Sequence, residues 1–195
     1  MMMFSRLLAA SCAAFVLSVL APVTAHAGPT VTLSGPASVT AGARFTVDVR
    51  AADVADLYAY QFDLGFDSAM FRLDGAEEGA FLASAGPTLF DPGTVAGDPD
   101  TLSFLFATLL GPTAGVEGDG ILATLHFTSL AVGSSVFELG NLVLLDAGLN
   151  DIPAAIGQLD VTAVPEPASW ALMLAGGALL VLRRRRSPGG RRVHA

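Results

Sequence analysis

Three groups of residues carry side chains that could do chemistry. His126, in "LATLHFTS", is the only histidine between residues 28 and 164. A Ser-His-Asp relay in that span would have to use it. It stands at an outward position of an alternating strand pattern, and no nucleophile-elbow motif accompanies it, so it reads as an exposed strand histidine. Asp98 with Asp100, and Glu117 with Asp119, are carboxylate pairs of the kind that can hydrolyse glycosides. Both pairs sit in Gly- and Pro-rich turns, where Asp commonly serves the turn itself. Asp146, Asn150 and Asp151, in "LLDAGLND", offer hard oxygen atoms suited to Ca²⁺, without the spacing of an EF-hand loop. They are the candidates for a structural Ca²⁺ site, and no other cofactor is expected. The pattern as a whole is that of a protein that is not an enzyme.

Charge narrows the partners. The chain of 195 residues has no lysine and a formal net charge of −8 at pH 7. Between residues 28 and 164 the only arginines are Arg44, Arg50 and Arg72, while most of the 18 acidic residues fall in the same span. Such a surface repels nucleic acid and anionic lipid, so no nucleic-acid partner is expected. Cys12 is the only cysteine. It lies in the N-terminal apolar stretch, so the rest of the chain has no disulfide, thiol nucleophile or thiolate metal site.

The two ends read as addresses. Arg6, the apolar stretch 7–20 and the small-x-small sequence Ala25-His26-Ala27 form a secretory signal peptide, residues 1–27, cleaved after Ala27. A stable N-terminal membrane span is the alternative. At the other end Pro165-Glu166-Pro167 precedes the apolar run 168–182, which holds Trp170 and ends at Arg183, Arg184, Arg185 and Arg186. Fifteen helical residues would span about 22 Å, short of a hydrocarbon core of about 30 Å. The interfacial Trp and the arginine block on one flank nevertheless suit a transmembrane helix over 168–182. Residues 187–195 follow as a disordered basic tail.

This segment, 165–186, resembles the PEP-CTERM sorting signal, a tail also labelled after ice-binding proteins without implying ice binding here. The resemblance implies an exported chain, anchored in the membrane through its C-terminal helix and processed by an exosortase-type transpeptidase. It would end at the cell surface or in the extracellular matrix. A plain tail anchor is the alternative.

What remains, residues 28–164, is enough for one hydrophobic core. Phe45, Val47 and Val49 share one face of a strand. Tyr58, Tyr60, Phe62, Leu64 and Phe66 recur at period two opposite Ala59, Gln61, Asp63 and Gly65. Ile121, Ala123, Leu125 and Phe127 repeat the pattern with Thr124, His126 and Thr128 outward. These are half-buried strands. Shorter apolar runs at 31–33, 70–73, 102–108, 135–139, 142–145 and 159–163 complete an all-β pattern, with one helical turn around 79–83. The expected fold is a single antiparallel β-sandwich of jelly-roll type with eight or nine strands. Exposed aromatics look scarce, with Phe81 and Phe90 as the candidates.

"FTVDVRAADVADLYAYQFDLGFDSAMFRL", "LSFLFATLLG" and "GDGILATLHFTSLAVGSS" occur in the order and spacing that resemble a cohesin domain. The resemblance implies a nine-stranded jelly roll and non-catalytic docking of a dockerin module, a small calcium-dependent helical domain carried by another protein. It implies a partner-binding sheet face that includes Ala59, Gln61, Asp63 and Thr108. Members of the best-known type carry an Asn and an Asp where this chain has Ala59 and Gln61, and an acidic residue near Thr108. The role implied is an exported surface or matrix binding module for a dockerin-bearing or other protein, in polysaccharide processing. Direct polysaccharide binding is the alternative. A matrix protein without a discrete site, pairing through an edge such as 135–139, is a third reading. Replacing Gln61 and Asp63 by Ala is expected to leave the fold intact.

Overall fold

The computed structural model describes residues 28–166 and 172–179. The expected signal segment with Ala25 and Ala27, Pro167, the four arginines Arg183, Arg184, Arg185 and Arg186, and the tail 187–195 lie outside the described residues. Ten strands and one helical turn follow in order: β1 (Thr30–Ser34), β2 (Ser38–Thr40), β3 (Arg44–Gly65), β4 (Phe71–Glu78), α1 (Ala80–Ala83), β5 (Thr88–Asp91), β6 (Thr101–Leu109), β7 (Val116–Ser129), β8 (Gly133–Asp146), β9 (Ala155–Ile156) and β10 (Leu159–Val164).

The 22-residue β3 organises the molecule. Residues 44–51 pair with β1 and β7; residues 57–65 pair with β6 and β8. One strand thus belongs to both layers, β9-β1-β3-β7-β4 and β5-β6-β3-β8-β10-β2. The sequence pattern had suggested two separate strands here. They are continuous because Asp53 and Asp56 take up the crossing, each with φ +55°, a left-handed conformation that Asp tolerates better than most residues. The Asp56 carboxylate then ties the crossing down, accepting the Gly115 N–H at 2.8 Å and the Ala147 N–H at 3.2 Å. A side chain at Gly115 would collide with the Asp56 carbonyl, so this close approach requires glycine.

The alternating apolar faces of the sequence meet between the layers. Val47, Val49, Tyr60, Phe62, Leu64, Leu125, Phe127 and Phe137 are all buried. Phe127 and Phe137 meet edge to face at 5.0 Å, with Phe45, Phe66 and Phe71 around them, a favoured aromatic geometry. The Tyr60 hydroxyl donates to the Leu122 carbonyl inside this core. Among the described residues every buried apolar side chain lies between Val31 and Ala163, so residues 28–164 carry a core of their own, as an independently folding domain does.

Several expectations are corrected. Strands β2, β5 and β9, of three, four and two residues, are too short for period two to show. The pairs β1–β9 and β2–β10 are parallel, so the sandwich is not wholly antiparallel. The runs 135–139 and 142–145 form one strand, β8, bent at Asn141 with φ +47°. Residues 135–139 are not a free edge, because β10 pairs with 133–137 and β3 with Glu138 and Leu139. A bulge opposite Val49 and Arg50 buries both Leu122 and Ala123 and leaves Ile121 only half-buried. In the tail, residues 172–179 are helical and exposed. Among the described residues no helix is long and apolar enough to cross a membrane; the rest of 168–182 lies outside them.

Candidate functional site: an apolar sheet face

The outward face of the second layer is built from four strands whose register sets its rows. Leu89, Thr108, Ala59 and Leu145 stand side by side across β5, β6, β3 and β8. Asp91, Phe106, Gln61 and Val143 form the next row. The expected site residues Ala59, Gln61 and Thr108 are therefore neighbours on one surface. With Phe104, Phe106, Val143 and Leu145 they line a shallow hollow of about 240 Å³.

Asp63 lies one step further along β3, and its carboxylate is hydrogen-bonded within the sheet. The register on both of its sides slips there, between Phe62 and Leu64 against β6 and between Gln61 and Asp63 against β8. Each slip leaves a residue with left-handed backbone: Phe104 on β6 with φ +63°, and Asn141 on β8. The Asp63 carboxylate fills the space between these bulges. One oxygen accepts the Phe104 N–H at 2.7 Å and the other accepts the Asn141 side-chain amide. Each of its oxygens thus accepts one bond within the sheet.

The bulge also decides where Phe104 points. Leu102 is buried, as are Leu105, Ala107 and Leu109; the irregularity at residue 104 switches the phase of the strand. Phe104 is left 56% exposed, the one phenylalanine among the exposed large hydrophobic side chains of the described residues, with Phe106 edge-on at 5.7 Å. Phe81 and Phe90, the expected exposed aromatics, are instead partly buried against the core. In "LSFLFATLL" both alternating registers are apolar, so the sequence does not say which set faces out.

The residues considered for chemistry are placed as follows. His126 faces outward on β7, its Nε2 3.5 Å from Glu77 Oε1, on the layer opposite the hollow. Asp98 accepts the Asp100 N–H and the Thr101 hydroxyl. Asp100 accepts both the Ser68 N–H and the Ser68 hydroxyl, and these bonds hold its carboxyl below the usual range. Asp119 accepts the Asp53 N–H at 2.8 Å. The Asp146 carboxylate closes its own turn, accepting the side-chain amide and the backbone N–H of Asn150, which likewise lower its pKa. Asp151 meets Leu145 in a single β-bridge. Among the described residues no three His, Cys, Asp or Glu side chains come together as a metal site.

The long shared strand β3 thus leaves a four-stranded face of β5, β6, β3 and β8 open on one side of the sandwich. Residues 29–161 match the cohesin domain and residues 163–186 match the PEP-CTERM protein-sorting motif. The chain belongs to the cohesin family. Similar solved structures include a non-cellulosomal cohesin from the archaeon Archaeoglobus fulgidus, at 18% identity and a TM-score of 0.57, covering 75% of this chain and 98% of that one. A cohesin module from a Clostridium perfringens family 33 glycoside hydrolase aligns at 13% identity and a TM-score of 0.59, covering 71% and 98%. A type I cohesin–dockerin complex from Clostridium thermocellum aligns at 14% and 0.56, covering 70% and 95%. At these identities the likeness is one of fold. No curated relative matches the sequence. The sorting motif implies an exported protein processed at the cell envelope. Pro165 and Glu166, the described start of that motif, are exposed directly after β10.

Proposed function

We propose that this protein is a non-catalytic docking module of the cell surface or extracellular matrix. The outward face of β5-β6-β3-β8 holds a dockerin-type module on another exported protein, in the setting of polysaccharide processing. The observation that carries this is the exposed, largely apolar face at Ala59, Gln61, Thr108, Phe104 and Phe106 on a cohesin fold. A surface of that kind is more often an interaction site than bare surface. The apolar tail, 168–182, holds the chain at the membrane until an exosortase-type transpeptidase acts at Pro165-Glu166-Pro167. Direct polysaccharide binding is a second reading, favoured by the exposed Phe104 ring, since flat sugar-binding surfaces use aromatic platforms.

The experiment is a pull-down. Immobilised residues 28–164 are exposed to the secreted proteins of the same bacterium, with and without EDTA. Retention of a protein with paired calcium-loop helices, lost in EDTA, is expected. Retention of matrix polysaccharide with no protein would replace docking by the second reading.

A further inference from the structure

We propose that the β5-β6-β3-β8 face takes a protein partner through an apolar stripe bordered by Lys or Arg, with Phe104 as its central anchor and Asp63 as the residue that positions that anchor. This rests on the docking reading above and names the chemistry of the partner.

Phe104 is held in an unfavourable backbone conformation, φ +63°, of a kind that persists only where surrounding groups impose it. Asp63 imposes it through the Phe104 N–H. The core gains nothing from the exposed ring. What the strain achieves is a rigid aromatic standing on a flat sheet beside Phe106, and such residues dominate binding energy at protein interfaces. Gln61, on the floor of the hollow, has no hydrogen-bond partner among the described residues. A partner covering it must supply one, because an amide left unsatisfied once water is excluded weakens binding.

Charge selects the partner. Strands β5, β6 and β8 and residues 57–65 of β3 contain no Lys, Arg or His. Asp91 and Glu138 stand exposed beside Phe106 and Gly65 on this face. Arg44, Arg50 and Arg72 all belong to the strand segments of the other layer. A cationic rim on the partner is complementary to this arrangement, whereas an acidic polysaccharide or a second copy of this chain would meet like charge.

The test uses residues 28–164 and two 20-residue helical peptides with the same leucine stripe, one flanked by Lys and one by Glu. Titration calorimetry is expected to show binding of the Lys peptide alone. Phe104→Ala should weaken it at least tenfold, as should Asp91→Lys combined with Glu138→Lys, while Arg44→Gln on the other layer changes nothing. Asp63→Ala should lose binding as Phe104→Ala does, at a temperature where circular dichroism shows it folded. Asp63→Asn, which keeps a carbonyl for the Phe104 N–H, should restore it. Lys-peptide binding indifferent to Phe104→Ala, equal binding of the Glu peptide, or no binding of either would overturn the proposal. So would dimerisation abolished by Phe104→Ala, or Phe104-dependent binding of a polysaccharide in place of the peptide. The peptides report on the face itself, so a pull-down that finds no secreted partner fails the docking reading without deciding this result.

Discussion

Asp63 and Phe104 are joined by a 2.7 Å hydrogen bond from the Phe104 N–H to the Asp63 carboxylate, across two strands that have slipped register to make room for it. The bond pins the bulge at Phe104, whose ring stands exposed on the sheet.

Asp63→Ala is therefore expected to be destabilising, contrary to the reading from sequence alone. It removes the acceptor for the Phe104 N–H and for the Asn141 amide, a loss of about 1–3 kcal/mol. Gln61→Ala removes no side-chain hydrogen bond among the described residues and should stay within about 0.5 kcal/mol. Urea midpoints of the two variants check this; equal midpoints would show that the Asp63 bonds contribute nothing.

Tyr60→Phe removes a buried hydrogen bond to the Leu122 carbonyl and should cost about 1–2 kcal/mol. Burial first, and then the Glu78 carboxylate, push the Tyr60 hydroxyl's pKa far above its ordinary value. The unfolded chain gives up this proton more readily than the folded one, so the stability Tyr60 contributes is full below about pH 10 and falls as pH rises above it. Thermal melts from pH 8 to 11 should show a decline that is shallower in Tyr60→Phe. Parallel curves would contradict the assignment.

At the acid end the sign reverses. Asp74 is held below 3.8 chiefly by the Thr128 hydroxyl and then by Arg72; Asp100 is held down by Ser68 and Asp146 by Asn150. Their contribution is present above about pH 4 and is lost as pH falls through the lowered values. Protonation also relieves repulsion among the many carboxylates, so the clean measurement is a difference. Ser68→Ala should lose stability at pH 7 and approach the wild type by pH 2–3. A gap independent of pH would rule out the Asp100–Ser68 pair as its source.

Deleting 168–182 should release the protein into the medium. Fractionation of cells expressing the full and shortened chains tests the tail. A shortened chain that stays with the membrane would remove the sorting account while leaving the docking face untouched.

Much of this fold is legible in the sequence where one face of a strand is polar. Thr46, Asp48 and Arg50 against Phe45, Val47 and Val49 leave only one way to bury the strand, and the structure follows it. Legibility fails where both faces are apolar or the element is very short. Phe104 and Phe106 compete with Leu105 and Ala107, and only the bulge pinned by Asp63, a residue 41 positions away, settles which pair points outward. The crossing of β3 was hidden for a related reason: Asp53 and Asp56 look like loop residues until Gly115 and Ala147 are brought to them. Ala59, Gln61 and Thr108 were placed together by family likeness. The hydrophobic half of the face, Phe104, Val143 and Leu89, had no sequence signal distinguishing it from core.

The central claim, that the β5-β6-β3-β8 face is the docking surface, is tested most directly by hydrogen exchange on residues 28–164 with and without whatever the pull-down retains. Added protection in β6 and in residues 57–65 of β3, with none on the outward side of β7 around His126, is the predicted result. Protection confined to β7 and residues 44–51, or no change in either layer, would contradict it.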